Sequence, residues 1–312
     1  MEEGKKDGEA RGTQPNLVVT LDPALKTEIF PRTSAAYVTT RRKRRIPLLL
    51  FRAEANPLAE YTLIYSHGNA TDIGETLLCN ESALTAKAMP HWLQPQWLPR
   101  FYSLTCCSLP LCYLSGAMYG RCSRICDTIG CSVVIYDYTG YGCSSGGRPS
   151  EADTYTDIEA VLAWVIKQAA HRDTGRRVVL YGQSVGSGPS CHLAAMQIGC
   201  EYVQGLILHS PIMSGLRVLT SSRALGCVDI YPNISRITKV KCPVMIMHGK
   251  RDEEVPWEHG VELWKATPPS LRREPWWAEL SGHNDMADTD ERLEEYLRRL
   301  RIFMQGLHAA EG

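Results

Sequence analysis

A serine between two glycines follows an apolar run in the stretch VVLYGQSVGSGPS, where Gly182, Ser184 and Gly186 form a Gly-x-Ser-x-Gly pattern. This pattern is typical of a serine exposed on a sharp strand-to-helix turn, where the flanking positions must be small. A plain glycine-rich turn or a phosphate cradle would look similar, but the stretch has neither G-x-x-x-x-G-K-S/T nor G-x-G-x-x-G. Ser184 is therefore a candidate nucleophile.

A serine hydroxyl is almost un-ionised at neutral pH, so it needs a nearby base and a carboxylate that orients that base. The sequence offers Asp252 in the loop after PVMIMHG and His283 in the loop after WWAEL. The order Ser, Asp, His, with each residue after an apolar strand, matches the nucleophile-elbow hydrolases. We expect Ser184, Asp252 and His283 to converge as nucleophile, orienting acid and base.

Several other polar residues compete for these roles. Glu253 and Glu254 adjoin Asp252, and Asp285 follows His283 too closely to orient its ring from a separate loop. We interpret all three as solvated charges or turn formers. His209 and His248 lie at strand ends, where a histidine is usually hydrogen-bonded to backbone.

An acyl-transfer site also needs donors for the oxyanion. The pair His67–Gly68 follows the strand that supplies half of the oxyanion hole in such folds. We expect the backbone N–H groups of Asn69 and Val185 to be the donors. A turn glycine with no further role is the alternative for Gly68.

Short runs of consecutive apolar residues alternate with helical patterns, which predicts buried parallel strands in an α/β sheet with helices on both faces. The strand predictions are YTLIYS, SVVIYDY, VVLY (178–181), GLILHS and PVMIMHG; two N-terminal strands, antiparallel, flank the basic turn RRKRR (41–45). The helix predictions are 150–170 with Ser150 as N-cap, 190–198 after the elbow and 290–304 with leucines on one face. The sequence therefore predicts an α/β-hydrolase fold.

Domain organisation is expected to be one hydrolase domain at 17–306, between a disordered polar tail at 1–16 and a tail at 307–312. Residues 77–125 are too long for one crossover helix, and the part from 101 to 119 is uncharged. This atypical insertion is read as a flap, a membrane-docking patch or a non-native stretch of translated sequence. The RRKRR cluster is read as a solvated hairpin turn, with a nuclear signal or a contact with anionic lipid as alternatives.

The net charge does not indicate a class of partner, because the sequence has 34 basic and 34 acidic residues. No nucleic-acid binding is expected. The N-terminal stretch has no apolar segment, so we expect a cytoplasmic protein, in peripheral contact with membranes at most and not secreted. The twelve cysteines show no zinc spacing, and neither a metal nor another cofactor is expected.

Six motifs together resemble one family: IYSHGNATDIGE, VVIYDYTGYGCSSGGRPSE, LYGQSVGSGPS, LILHSPIMSGLRVL, CPVMIMHGKRDEEVPWEHG and LSGHNDM. They are similar to the alpha/beta hydrolase domain-containing protein 17 family of protein depalmitoylases. The resemblance implies a long-chain acyl thioester on a protein cysteine as substrate, with S-acylated proteins as partners. Family members begin with an acylated cysteine-rich segment, and MEEGKKDGEARGTQPN has no cysteine.

Two other function classes stay open from the sequence. A carboxylesterase or an oligopeptidase-like serine peptidase would use the same three side chains. A non-catalytic interaction protein could retain the hydrolase fold without turnover, if the segment 77–125 displaced Asn69.

Overall fold

A single eight-stranded sheet organises the part of the chain that the structure describes. The computed structural model describes residues 33–54, 57–68, 116–146, 149–172, 177–196, 201–215 and 230–310. The strands are β1 (Thr33–Thr39), β2 (Arg45–Phe51), β3 (Tyr61–Ser66), β4 (Ser132–Tyr136), β5 (Arg177–Gln183), β6 (Val203–His209), β7 (Val244–Gly249) and β8 (Trp276–Ala278). Their spatial order is β1-β2-β4-β3-β5-β6-β7-β8.

The sheet is mostly parallel, as the runs of consecutive apolar residues predict. β1 pairs antiparallel with β2 and β2 with β4, whereas every other neighbouring pair is parallel. All six residues of β7 are buried, which fits a strand covered on both faces. The predicted α/β-hydrolase architecture with antiparallel N-terminal strands is confirmed.

Six α-helices surround the sheet in the described ranges: α1 (Gly116–Ile129), α2 (Glu151–Arg172), α3 (Ser187–Ala195), α4 (Asn233–Arg236), α5 (Glu258–Ala266) and α6 (Asp290–Ala309). Ser150 caps α2 as predicted, because its Oγ accepts the Asp153 N–H at 3.1 Å. The capping side chain at the start of α6 is Thr289, which accepts the N–H of Arg292. α1 packs against α6, and α2 packs against α3.

Two predicted boundaries move in the structure. The helix after the elbow begins at Ser187 rather than 190 and ends at Ala195, because the 3₁₀ turn at Ser184–Gly186 leads directly into it. The C-terminal tail does not begin at 307, because α6 continues to Ala309 and Leu307 is buried against the core. Leu307 follows Phe303 by four residues, so both lie on one helix face.

The basic cluster 41–45 spans the turn between β1 and β2, and its last residue, Arg45, begins β2. Arg41 contacts Glu159 at 3.4 Å, and Arg42 contacts Asp153 at 3.0 Å, so both cations pair with α2. The guanidinium of Arg45 lies 3.8 Å from the ring centroid of Tyr37. Three of the five basic side chains in this cluster therefore contact acidic or aromatic side chains of the same chain.

Several sequence predictions fall wholly or partly outside the described residues, among them the tail at 1–16, the domain start at 17, the position of Asn69, the atypical segment 77–125 and the last residues of the helix 190–198. The last ten residues of the atypical segment lie in α1, where Cys122 and Ile125 are fully buried in the core. They form part of the crossover helix between β3 and β4. In the described ranges, no helix combines the length and apolar character needed to cross a bilayer.

Candidate active site

Ser184 lies on a strained turn between β5 and α3. Its φ is +52°, a left-handed conformation that costs a non-glycine residue about 1–2 kcal/mol. The flanking glycines are sterically required: a Cβ on Gly186 would lie 2.0 Å from the carbonyl oxygen of Ser66, and one on Gly182 would lie 2.6 Å from that of Gly186. The elbow therefore needs glycine at both flanks because backbone lies against them.

The three side chains singled out in the sequence form a hydrogen-bonded chain. Nε2 of His283 lies 2.9 Å from Oγ of Ser184, and Nδ1 of His283 lies 2.7 Å from Oδ2 of Asp252. Since the carboxylate only accepts, Nδ1 carries the proton and Nε2 accepts from the serine hydroxyl. The fold thus unites residues that are 99 and 31 positions apart.

Asp252 receives two further kinds of donor. Its Oδ1 accepts the backbone N–H groups of Glu254 at 3.0 Å and Val255 at 2.8 Å. Its Oδ2 lies 3.1 Å from Nε2 of His248, a ring that also donates to the carbonyl oxygen of Val255 at 2.9 Å. Burial opposes ionisation, but the hydrogen bonds from His248, His283 and Val255 outweigh it and lower the pKa of Asp252.

His248 thus belongs to the candidate site because it contacts Asp252. No role there was predicted for it from the sequence. The expected backbone partner exists, Val255, but the same Nε2–H also reaches Asp252. Both groups are acceptors, so the ring is held as the Nε2–H tautomer. In the sequence, His248 and Asp252 are four residues apart. Such spacing predicts a contact within a helix, but these residues lie in a strand and the turn after it, so their contact could not be predicted from the spacing.

His209 has a different partner from the one expected. Its Nδ1 lies 2.7 Å from the hydroxyl of Tyr181, which lies 2.7 Å from the hydroxyl of Tyr296. Its hydrogen bond is therefore to a side chain, and the prediction of a backbone partner is wrong. Burial, reinforced by the positive charge of Arg121, lowers the pKa of His209 well below its ordinary value. His209 is therefore neutral and adds no positive charge near His283.

The loop after β3 reaches the serine. A Cβ on Gly68 would lie 3.5 Å from the Cβ of Ser184, and the carbonyl of His67 accepts the Tyr138 hydroxyl at 2.7 Å. Asn69, the expected oxyanion donor, lies outside the described residues. Val185 is the second residue of the 3₁₀ turn, a position at the start of a helix where backbone N–H groups lack intrahelical partners.

Two of the competing carboxylates have defined places. Asp285 accepts the N–H of Gly282 at 2.6 Å and pairs with Arg292 at 2.9 Å, so it holds the loop that carries His283. Glu254 is not merely a solvated charge: its Oε2 lies 3.8 Å from Nε2 of His283, although its side chain is 65% exposed.

A small apolar cluster, separate from the main core, lies around the elbow. It consists of Tyr155, Ile212, Tyr231 and Val255, with Val185 packed against them. Val185 adjoins the serine, and Val255 donates its N–H to Asp252. The four clustered side chains are buried and Val185 is partly exposed, so the cluster packs the elbow and leaves one apolar side chain beside the hydrogen-bonded chain. Within the described ranges, no group of three or more His, Cys, Asp or Glu side chains could hold a metal ion.

Comparisons with known proteins agree with this fold. A family model described as "Serine aminopeptidase, S33" matches residues 116–222. An esterase of Pyrococcus furiosus shares the fold at a TM-score of 0.59 and 13% identity, covering 88% of this chain and 93% of that one. The fold and the site define an α/β hydrolase.

Curated relatives give the family. Alpha/beta hydrolase domain-containing protein 17B of Xenopus tropicalis is 35% identical over 266 residues, 85% of this chain and 73% of the relative. Alpha/beta hydrolase domain-containing protein aho-3 of Caenorhabditis elegans is 33% identical over 266 residues, and the match spans 63% of its length. The chain belongs to the alpha/beta hydrolase domain-containing protein 17 family.

Proposed function

We propose that this protein is a serine hydrolase that cleaves long-chain acyl thioesters from protein cysteines. The observation that carries the proposal is the hydrogen-bonded chain from Ser184 through His283 to Asp252, with separations of 2.9 and 2.7 Å. These are the distances expected between nucleophile, base and orienting acid. Membership of the family supports the thioester as substrate.

In the proposed reaction, Oγ of Ser184 bonds to the thioester carbonyl carbon while Nε2 of His283 takes the hydroxyl proton. Backbone N–H groups, those of Val185 and Asn69 in this proposal, stabilise the oxyanion. When the carbon–sulfur bond breaks, the imidazolium returns the proton to the cysteine sulfur and an acyl-serine ester remains. Water, deprotonated by His283, then releases the fatty acid and restores Ser184.

Two observations, one on the leaving group and one on the site, favour a thioester substrate. A cysteine thiol has a free pKa near 8.5, so it leaves with less help from an acid than an amine needs. Val185, the partly exposed member of the apolar cluster, adjoins Ser184 and offers an apolar contact from which an acyl chain would exclude water. Since S-acyl groups insert in bilayers, we also propose that the substrate is met at the cytoplasmic face of a membrane.

The test combines two assays on the full chain. A fluorophosphonate probe should label the wild type but not Ser184→Ala, and the wild type should release palmitate from an S-palmitoylated peptide. Labelling with an intact thioester after long incubation would indicate a carboxylesterase. Faster cleavage of a peptide anilide would indicate a peptidase, and a folded protein without labelling between about pH 6 and 9 would indicate a non-catalytic role.

A further inference from the structure

A series of side-chain hydrogen bonds runs from the interior to the rim of the site. It begins at Gln183, whose Oε1 accepts from the Tyr65 hydroxyl at 2.5 Å and from Nη1 of Arg121 at 3.5 Å. Because the carbonyl oxygen faces these donors, the amide nitrogen faces the other way. Nε2 of Gln183 donates to Oδ1 of Asn284 at 3.3 Å.

This arrangement determines the orientation of the next amide. With Oδ1 of Asn284 facing Gln183, its Nδ2 faces outward and donates to Oε1 of Glu254 at 3.2 Å. The backbone N–H of Glu254 donates to Asp252 at 3.0 Å. Glu254 is therefore held by hydrogen bonds at both its backbone N–H and its carboxylate, although the side chain is 65% exposed.

The location of this carboxylate is chemically specific. Its second oxygen, Oε2, lies 3.8 Å from Nε2 of His283, too far for a hydrogen bond. Nε2 is the atom that returns the proton to the leaving group in the proposed mechanism. A leaving group at Nε2 thus has a fixed negative charge beside it.

We propose that Glu254 is a specificity-determining residue that favours leaving groups carrying positive charge, so that S-acylated cysteines flanked by Lys or Arg are the preferred substrates. This inference rests on the proposed thioesterase function. Lysine at a flanking position would place its ammonium within several ångströms of Oε2 in partly hydrated surroundings. The attraction there amounts to roughly a fivefold preference in kcat/KM.

The chain offers a matched control. Glu253 carries the same charge one residue away and is exposed, but no contact with His283 is observed among the described residues. Glu253→Gln removes one negative charge from the same loop and leaves the position beside Nε2 unchanged. A general effect of loop charge would therefore appear in both variants.

The experiment measures kcat/KM for three S-octanoyl peptides that differ only in the two residues beside the cysteine: lysine, serine or glutamate. Wild type and Glu253→Gln should prefer the lysine peptide to the glutamate peptide by about fivefold or more. Glu254→Gln should bring the ratio to within about twofold, and Glu254→Lys should reverse it. The same octanoyl chain throughout keeps acyl binding constant.

An unchanged ratio in Glu254→Gln, or an equal loss for all three peptides, would overturn the proposal. Equal loss would mean that Glu254 acts on His283 rather than on the leaving group. The serine peptide tests the thioesterase function separately. If it is not hydrolysed while simple octanoyl esters are, the proposed function fails, and charge selection is decided by octanoyl esters of a cationic and an anionic alcohol.

Discussion

Replacing Gly186 with alanine should disable the site by displacing the end of β3 and the loop that follows it. The backbone of Gly186 is in the right-handed helical region, with φ −60°, so alanine meets no torsional penalty and the effect is purely steric. The new Cβ would lie 2.0 Å from the carbonyl oxygen of Ser66 and 2.7 Å from that of His67. To reach an ordinary contact of 3.4 Å, the Ser66 oxygen must move away by about 1.4 Å.

That displacement sets the expected magnitude. A misplacement of about 1 Å in a catalytic constellation costs about 100-fold in rate, because reacting groups lose alignment. Forced backbone shifts of this kind cost roughly 1–3 kcal/mol in stability. Gly186→Ala should therefore lower kcat on a neutral octanoyl ester by about 100-fold and reduce the melting temperature by several degrees.

The glycines of the fold supply graded controls. At Gly68 the added Cβ would meet Ser184 Cβ at 3.5 Å, an ordinary contact, and at Gly120 it would meet nothing within 4 Å. The rate of ester hydrolysis and the melting temperature should be lowest for Gly186→Ala, where the added Cβ has the least space. Gly120→Ala should hydrolyse the ester at the wild-type rate. A kcat for Gly186→Ala within about threefold of wild type, a change of less than 1 kcal/mol, would refute the reasoning.

Three further outcomes are expected. Ser184→Gly should melt about 2–4 °C above Ser184→Ala, because glycine relieves the strain of the φ of +52°; equal melting temperatures would argue against strain at the elbow. His248→Phe should lower kcat about tenfold, since it removes a hydrogen bond to the Asp252 carboxylate, and His248→Gln should restore part of the rate, whereas equal rates in both variants would contradict this role. Burial raises the pKa of Asp157 to about 7 despite hydrogen bonds from Thr139. Between about pH 4 and 7 the folded state therefore retains a proton that the unfolded state loses. The free energy of unfolding, measured by urea titration, should fall as pH rises through that window, and Asp157→Asn should flatten this dependence.

Much of the sheet follows from local sequence, and the physical reason is burial. β3 to β7 each contain a short run of consecutive apolar residues bounded by turn residues, a pattern typical of a strand covered on both faces. The boundary of α3 was harder to predict, because the 3₁₀ turn at the elbow has no pattern of its own. The end of α6 was missed because Gly306 resembles a helix end in sequence, although Leu307 continues the apolar face of Phe303 and Met304.

The order of Ser184, Asp252 and His283, each after an apolar strand, was readable from sequence alone because parallel strands bring their carboxyl ends to one edge. The partners of these residues were not readable. Whether Glu254 lies beside His283 depends on the orientation of Asn284 and Gln183, two amides that come from distant segments. Sequence thus determined which groups reach the site, whereas tertiary packing decided which of them touch, because side-chain hydrogen bonds form between whatever neighbours the folded sheet brings together.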